Sequence, residues 1–206
     1  MTDTELERGY KLTFENVKRL LEEADGLRIF DRYERAYTLY QLAIEEIGKC
    51  SILFKAIVNF YLGETIDLNY LKKEGYFQHQ AKTLESLKSE IIAITFFEES
   101  IGKKTGLIEE TLYDYSHVED LNNNKNDSLY VGIKDEMFYA PNTTITKEKT
   151  ESIAFKAHLR YKAIEPFLQP LEEMKKIADG VNELSSNPDE IKKLEEKYGI
   201  QNHEGN

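Results

Sequence analysis

Apolar positions recur at three- and four-residue spacing along most of the chain, so its pattern is that of helices. Leu6, Tyr10, Phe14, Val17, Leu20 and Leu21 predict a first helix from about Thr4 to Leu27, with caps offered by Thr2 to Thr4 and a break at Asp25-Gly26-Leu27. A longer helix is expected from about Asp31 to Leu62, closed by Gly63 in the place of a C-cap glycine. The stretch "ETIDLNYLKKEG" reads as a short connection with one helical turn. A third helix is expected from near Tyr76 to about Ser100, with Phe77, Ala81, Leu84, Leu87, Ile91 and Ile94 as its apolar stripe, and a fourth from Gly106 to Leu121.

The pattern then changes. "NNNKNDS" reads as a polar turn, and after it "LYVGI" and "MFYAP" flank "KDE", two aromatic and β-branched runs joined by a short polar loop. That is the signal of a β-hairpin, inserted at about 127–141. Beyond Pro141 a helix capped by Thr146 is expected to run to about Ala178, kinked or restarted at Pro166 and Pro170 and ended by Gly180, with a last short helix from Pro188. The expected fold is mainly α, an antiparallel helical bundle in one domain over residues 1–200, with a disordered tail at 201–206.

Charge narrows the partners. Asp and Glu number 38 against 27 Lys and Arg, a formal net charge of -11, and such a surface repels nucleic acid at long range. DNA binding is not expected, and RNA would need a local cationic cleft. The single Cys50 lies in an apolar helical context and suits a reducing compartment. No stretch approaches the roughly 18 apolar residues of a membrane span, and the N-terminal run is charged, so a cytoplasmic protein without membrane contact is expected.

One stretch of the second helix does not fit plain packing: "LAIEEIGKC", Leu42 to Cys50. On a helical wheel Leu39, Ala43, Ile47, Cys50, Phe54, Ile57 and Tyr61 form an apolar face, and Glu46 falls inside that arc. Glu46 is therefore expected to be buried, at a cost of several kcal/mol unless it is paired. Glu45 and Lys49 sit at the edge of the arc, where an ordinary intrahelical ion pair accounts for Glu45. Gly48 lowers helix stability by about 1 kcal/mol relative to Ala, which points to the close approach of another helix.

The third helix carries "YFQHQAK", in which His79 and Lys82 lie three apart, off the expected apolar stripe. Spacing alone leaves a surface His and Lys without a task as an equal reading. A His for proton transfer, a Lys for phosphate charge and a carboxylate to orient them suit phosphodiester cleavage without a metal, the RNA 2′-hydroxyl serving as nucleophile. His117 and His158 sit among ordinary helical residues and read as structural, and His203 as a solvated tail residue. Other site classes are poorly served: no Gly-rich phosphate loop, nucleophile elbow, HExxH or Cys cluster appears, and no His has a Glu three residues before it. No metal site and no cofactor are expected.

Three elements in series, "RAYTLYQLAIEEIGKC" (Arg35 to Cys50), "FQHQAK" (Phe77 to Lys82) and "KNDSLYV" (Lys125 to Val131) followed by "FYAP" and "TITKE", resemble the AbiV family of abortive-infection proteins, a branch of the HEPN-type helical domains. The resemblance covers about Arg35 to Ala163. It implies a HEPN-like bundle that forms a homodimer and acts in bacterial antiphage defence by stopping growth or translation, with RNA or the translation machinery as partner and a phage-derived component as activator. It also implies a functional cluster of Glu46, Lys49, His79 and Lys82 as catalytic residues and Glu45, Lys125 and Tyr130 as substrate-binding ones. HEPN ribonucleases use an Arg followed four to six residues later by a His. Here no Arg stands at that spacing before any His, and Gly132 occupies a place after "LYV" where an acidic residue is expected. A non-enzymatic dimer that sequesters a translation component or RNA stands as the alternative, with Glu46, Lys49 and His79 at its interface.

Overall fold

The Thr2 hydroxyl accepts from the backbone N–H of Glu5 and opens α1 (Asp3–Ile29), in a computed structural model that describes residues 1–165, 171–187, 189 and 193. The expected break at Asp25-Gly26 does not occur. Leu21 and Ala24 are buried on the inner face of α1, and the tertiary contact outweighs the roughly 1 kcal/mol that Gly26 costs a helix. The chain instead reverses through Asp31, at φ +57°, into α2 (Tyr33–Tyr61), which runs antiparallel to α1. Gly63 follows α2 at φ +91°, as a terminating glycine should.

A short α3 (Leu68–Lys73), capped by the Asp67 carboxylate, leads to α4 (His79–Ile101). The segment expected to be one fourth helix is two, α5 (Leu107–Ser116) and α6 (Val118–Leu129). The "NNNKNDS" stretch forms most of α6 and is not a turn. Its Ser128 hydroxyl meets Thr38 Oγ1 at 2.6 Å and its Lys125 ammonium reaches Glu45, so contacts to α2 override a poor local helix propensity.

The hairpin is present but shorter than expected: β1 (Gly132–Lys134) pairs antiparallel with β2 (Met137–Tyr139), Ile133 opposite Phe138. Its two-residue turn, Asp135-Glu136, takes positive φ at both positions, the twist that suits a hairpin, without the usual Asn-Gly. Gly132 has a structural reason to be glycine: a Cβ there would lie 2.1 Å from the ring of Tyr139, whose hydroxyl anchors the ribbon to Asp127 at 2.8 Å. After α7 (Pro141–Thr144), Thr146 caps α8 (Lys147–Ile164) as expected. The next helix, α9 (Leu171–Ser185), passes through Gly180 and does not end there. Pro166, Pro170, the tail 201–206 and nearly all of the expected helix from Pro188 lie outside the described residues.

The molecule is mainly α, with α2 at its centre between α1 and α8 on one side and α4 and α6 on the other. Small residues let helices approach it: Ala36, Ala43 and Ala56 of α2 and Ala157 of α8 are fully buried among Leu6, Tyr10, Val17, Ile44, Ile47 and Ile57. Because neighbours surround its middle, α2 has almost no solvent face there. Among the described residues no helix is long and apolar enough to cross a membrane.

Candidate functional site

The face of α2 turned toward α4 and α6 carries Thr38, Gln41, Glu45, Gly48 and Ile52, spaced at three and four residues and all buried. It is a polar stripe inside the protein. The matching face of α4 is also polar: Lys82, Thr83, Ser86, Glu90 and Glu98 are buried beside Leu87 and Ile94. Of the expected apolar stripe, Leu87 and Ile94 are buried and Ala81, Leu84 and Ile91 are partly buried, while Phe77, just before α4, is 55% exposed; the inward face is shared between apolar and polar side chains. Direct pairs cross between the two surfaces, Gln41 Nε2 donating to Thr83 Oγ1 at 3.3 Å and Ser51 meeting Ser89 at 2.7 Å.

Gly48 makes this contact possible. A Cβ on it would lie 1.8 Å from the backbone oxygen of Lys82, so the first turn of α4 rests directly on the α2 backbone. That brings Lys82 and His79 against the carboxylate one turn back on α2. The carboxylate is Glu45, not Glu46. Glu45 Oε2 accepts from His79 Nδ1 at 2.6 Å and from Lys82 Nζ at 2.9 Å, while Oε1 accepts from Lys125 Nζ of α6 at 2.6 Å. The side chains of Glu45, Lys82 and Lys125 are 3%, 7% and 7% exposed, whereas His79 is 61% exposed and forms the mouth.

Glu46 is largely buried and paired as expected, but Glu45, expected at the edge in an ordinary intrahelical pair, is the more deeply buried of the two and is held from two other helices. The Glu46 side chain is 16% exposed and its carboxylate is bound by Lys49 in an intrahelical pair; the Lys49 ammonium also lies 5.5 Å from the centre of the Tyr76 ring. The wheel treated α2 as having one inner face, but α2 is enclosed on two sides, and the polar arc opposite the apolar one is a second helix contact. Tyr130 is also not at the cluster. Lys125 lies against Glu45, Ser128 against Thr38 and the Leu129 carbonyl 3.4 Å from Arg35, so α6 runs toward the start of α2 and carries Tyr130, 65% exposed, to the far end.

Burial alone would raise the pKa of the Glu45 carboxyl, but hydrogen bonds from Lys125, His79 and Lys82 outweigh it and hold the group below its ordinary value. Glu45 is an anion fixed by three donors. A neutral His79 that donates through Nδ1 keeps Nε2 as an acceptor, the form a general base requires. Among the described residues no group of His, Cys, Asp and Glu gathers that could hold a metal ion.

Arg160 is a buried residue that sequence reading missed. It is fully buried, and its guanidinium meets Glu90 at 2.5 Å, Ser86 at 3.3 Å and Asp114 at 3.4 Å; Lys156 adds a second cation to Asp114 at 2.7 Å. This clasp ties α5 and α8 to α4. Its signal lay in the spacing of Ile153, Ala157, Arg160 and Ile164, an arginine within an apolar helical stripe. The remaining described histidines have partners of their own. His158 Nε2 lies 3.2 Å from Asp25, which also accepts from Tyr40 at 2.5 Å, while the His117 ring stacks on Tyr113 at 4.0 Å. Burial, then the Asp25 bond, push the Tyr40 phenol up to about 12.

The family comparison agrees with this arrangement of helices and hairpin. A family model for AbiV, of the HEPN type, matches residues 5–162, while no curated protein and no solved structure matches the chain. The match takes in α1, the Glu45 cluster, the hairpin and nearly all of α8, and on that extent the chain belongs to the AbiV family of HEPN domains.

Proposed function

We propose that this AbiV-family protein, placed by its membership in HEPN-type abortive-infection defence, arrests growth or translation in infected cells by acting on RNA at the Glu45 cluster. The observation that carries the reading is the convergence of His79, Lys82 and Lys125, from two helices, on one buried carboxylate, with the His79 ring exposed at the surface. In this reading His79 takes the proton of a ribose 2′-hydroxyl as that oxygen attacks the adjacent phosphorus; the bond from phosphorus to the 5′-oxygen of the next nucleotide breaks, leaving a 2′,3′-cyclic phosphate and a 5′-hydroxyl that takes its proton from water. Lys82 and Lys125 hold phosphate charge, and Glu45 fixes both ammonium groups and the His79 ring in position. A strongly acidic surface keeps bulk nucleic acid away, so engagement depends on this pocket. Glu46 and Lys49 buttress α2 beside the site.

Incubating the wild-type protein and His79→Ala with total RNA and tRNA in EDTA tests this. Cleavage by the wild type that falls by about 10²-fold or more in the variant is expected for loss of a general base. Equal cleavage by both removes His79 from the mechanism, and no cleavage under conditions that arrest growth removes the enzyme.

A second reading is a dimeric binding protein without catalysis. It is favoured by the outer face of α4, where Ile92, Phe96, Phe97 and Ile101 are 48–66% exposed between two apolar grooves. Such a ridge with flanking hollows suits helix packing against a second copy. In this version growth arrest survives His79→Ala and is lost when the dimer is broken.

A further inference from the structure

Helix α6 is held on the protein almost entirely by polar groups. Its two buried side chains are Lys125 and Ser128, which reach Glu45 and Thr38 of α2, each at 2.6 Å. Further ties are polar too: the Leu129 carbonyl lies 3.4 Å from Arg35, and Asn124 meets Tyr37 and, at 3.5 Å, Lys149 of α8. Val118, Leu121 and Leu129 are only partly buried, whereas α8 buries Ile153, Ala154, Ala157 and Ile164. A buried ion pair adds little net stability, since both charges regain water when the contact opens, and the larger force, apolar burial, is slight here. The helix also has little stability of its own. Asn122, Asn123, Asn124, Asn126, Asp127 and Ser128 are poor helix formers, and a helix of 12 residues is marginal in isolation.

What α6 covers is the Glu45 cluster. Lys125 and Ser128 seat on Glu45 and Thr38, and between those two on the same stripe lies Gln41, whose buried Oε1 has no partner. An acceptor left unmet in the closed arrangement gains water when α6 lifts, so the seat itself favours release. Closure also seals the site. Lys82 and Lys125 are 7% exposed and both are engaged by Glu45, so a phosphate reaches them only when α6 moves. Joints for that motion stand at both ends. His117, at φ -119° and ψ 28°, separates α5 from α6. The hairpin is tied to α6 through Tyr139 and Asp127, and beyond it Ile145, 2% exposed, returns the chain to the core.

We propose that α6 and its hairpin form a latch that swings off the seam between α2 and α4 about His117, with the Lys125–Glu45 pair as its catch. This rests on the reading of the cluster as an RNA-phosphate site and supplies its regulation. Closed, the latch keeps both ammonium groups out of reach; open, Glu45 still holds Lys82 and His79 in place, while Lys125, released, meets the phosphate from the latch.

The test is hydrogen–deuterium exchange of the full chain read by mass spectrometry, with a lockable variant beside it. In the wild type the amides of α6 are expected to exchange at least about tenfold faster than those in the middle of α2 and α4. Lys125→Ala should widen that gap by about tenfold or more, the scale of one charge-assisted hydrogen bond, with α2 and α4 unchanged and the same helix content by circular dichroism. Thr38→Cys combined with Ser128→Cys replaces a 2.6 Å hydroxyl contact by a pair placed to form a disulfide, a lock that a reductant opens. Oxidised, this variant should bind a short labelled oligoribonucleotide at least about tenfold more weakly in fluorescence anisotropy, and recover on reduction. Exchange of α6 no faster than that of α2 overturns the proposal, as does an α6 rate unchanged by Lys125→Ala or RNA binding indifferent to the lock. Fast exchange of α6, quickened by Lys125→Ala, in a protein that binds no RNA in any form supports the latch and removes only the RNA reading.

Discussion

Glu45 and Glu46 are adjacent and chemically identical, yet their environments assign them opposite weights. Replacing Glu45 with Gln strips the charge from a carboxylate that holds two buried ammonium groups, and breaking such a pair costs about 3–5 kcal/mol. The same change at Glu46, whose one partner is Lys49 within its own helix and whose side chain keeps 16% exposure, should cost clearly less. Urea denaturation of the two variants checks the contrast; equal losses would place the buried carboxylate wrongly. Acid provides a second measurement. The folded Glu45 pKa lies below its ordinary 4.5, so its stabilising contribution is complete above that value and disappears as pH falls through the depressed one. Glu45→Gln should therefore flatten the acid limb of a stability profile below about pH 4.5, relative to wild type.

At the scale of elements, the packing of α4 on α2 turns on one glycine. Ala is the better helix former by about 1 kcal/mol, yet Gly48→Ala puts a methyl carbon into the backbone of Lys82. Overpacking of this kind costs about 1–3 kcal/mol, and here it also pushes His79 and Lys82 away from Glu45. The expected result is a lower melting temperature together with loss of RNA engagement; a more stable variant would mean that helix propensity and not helix approach governs the position. The hairpin shows the opposite balance. Its Asp135-Glu136 turn holds two residues at positive φ, a strained choice that Asn-Gly would relieve.

For the whole molecule, α4 is not a simple amphipathic helix: Lys82, Thr83, Ser86, Glu90 and Glu98 are buried beside Leu87 and Ile94, while Ile92, Phe96 and Phe97 face outward. α5 repeats the theme: Thr111 and Asp114 are buried while Leu112 and Tyr113 are more than half exposed. The aromatic and aliphatic side chains that α4 and α5 display make an outer face suited to a partner. If that partner is a second copy, the double change Phe96→Ser and Phe97→Ser should shift light scattering from dimer to monomer with the fold intact. A wild-type protein that is monomeric at all concentrations would remove the dimer from both functional readings.

Local patterns determined much of this protein. The Thr2 and Thr146 caps, the glycine after α2, the hairpin near 127–141 and the demand of Gly48 for a close neighbour each follow from chemistry within a few residues, and so were legible in the sequence. The pairing of His79 and Lys82 with a glutamate of "EEIGK" was legible too, as a set of unusual residues. What the sequence did not determine was which glutamate, because a wheel gives relative angles around one helix and says nothing of how many neighbours enclose it. Enclosure of α2 on two sides turned a presumed edge into a second buried face, and the same enclosure made a helix of "NNNKNDS", carried Lys125 to Glu45 and Tyr130 away from it, and turned the polar side of α4 inward. Charge pairing across helices is a property of the assembled bundle, and only there do two lysines, a histidine and one carboxylate become a site.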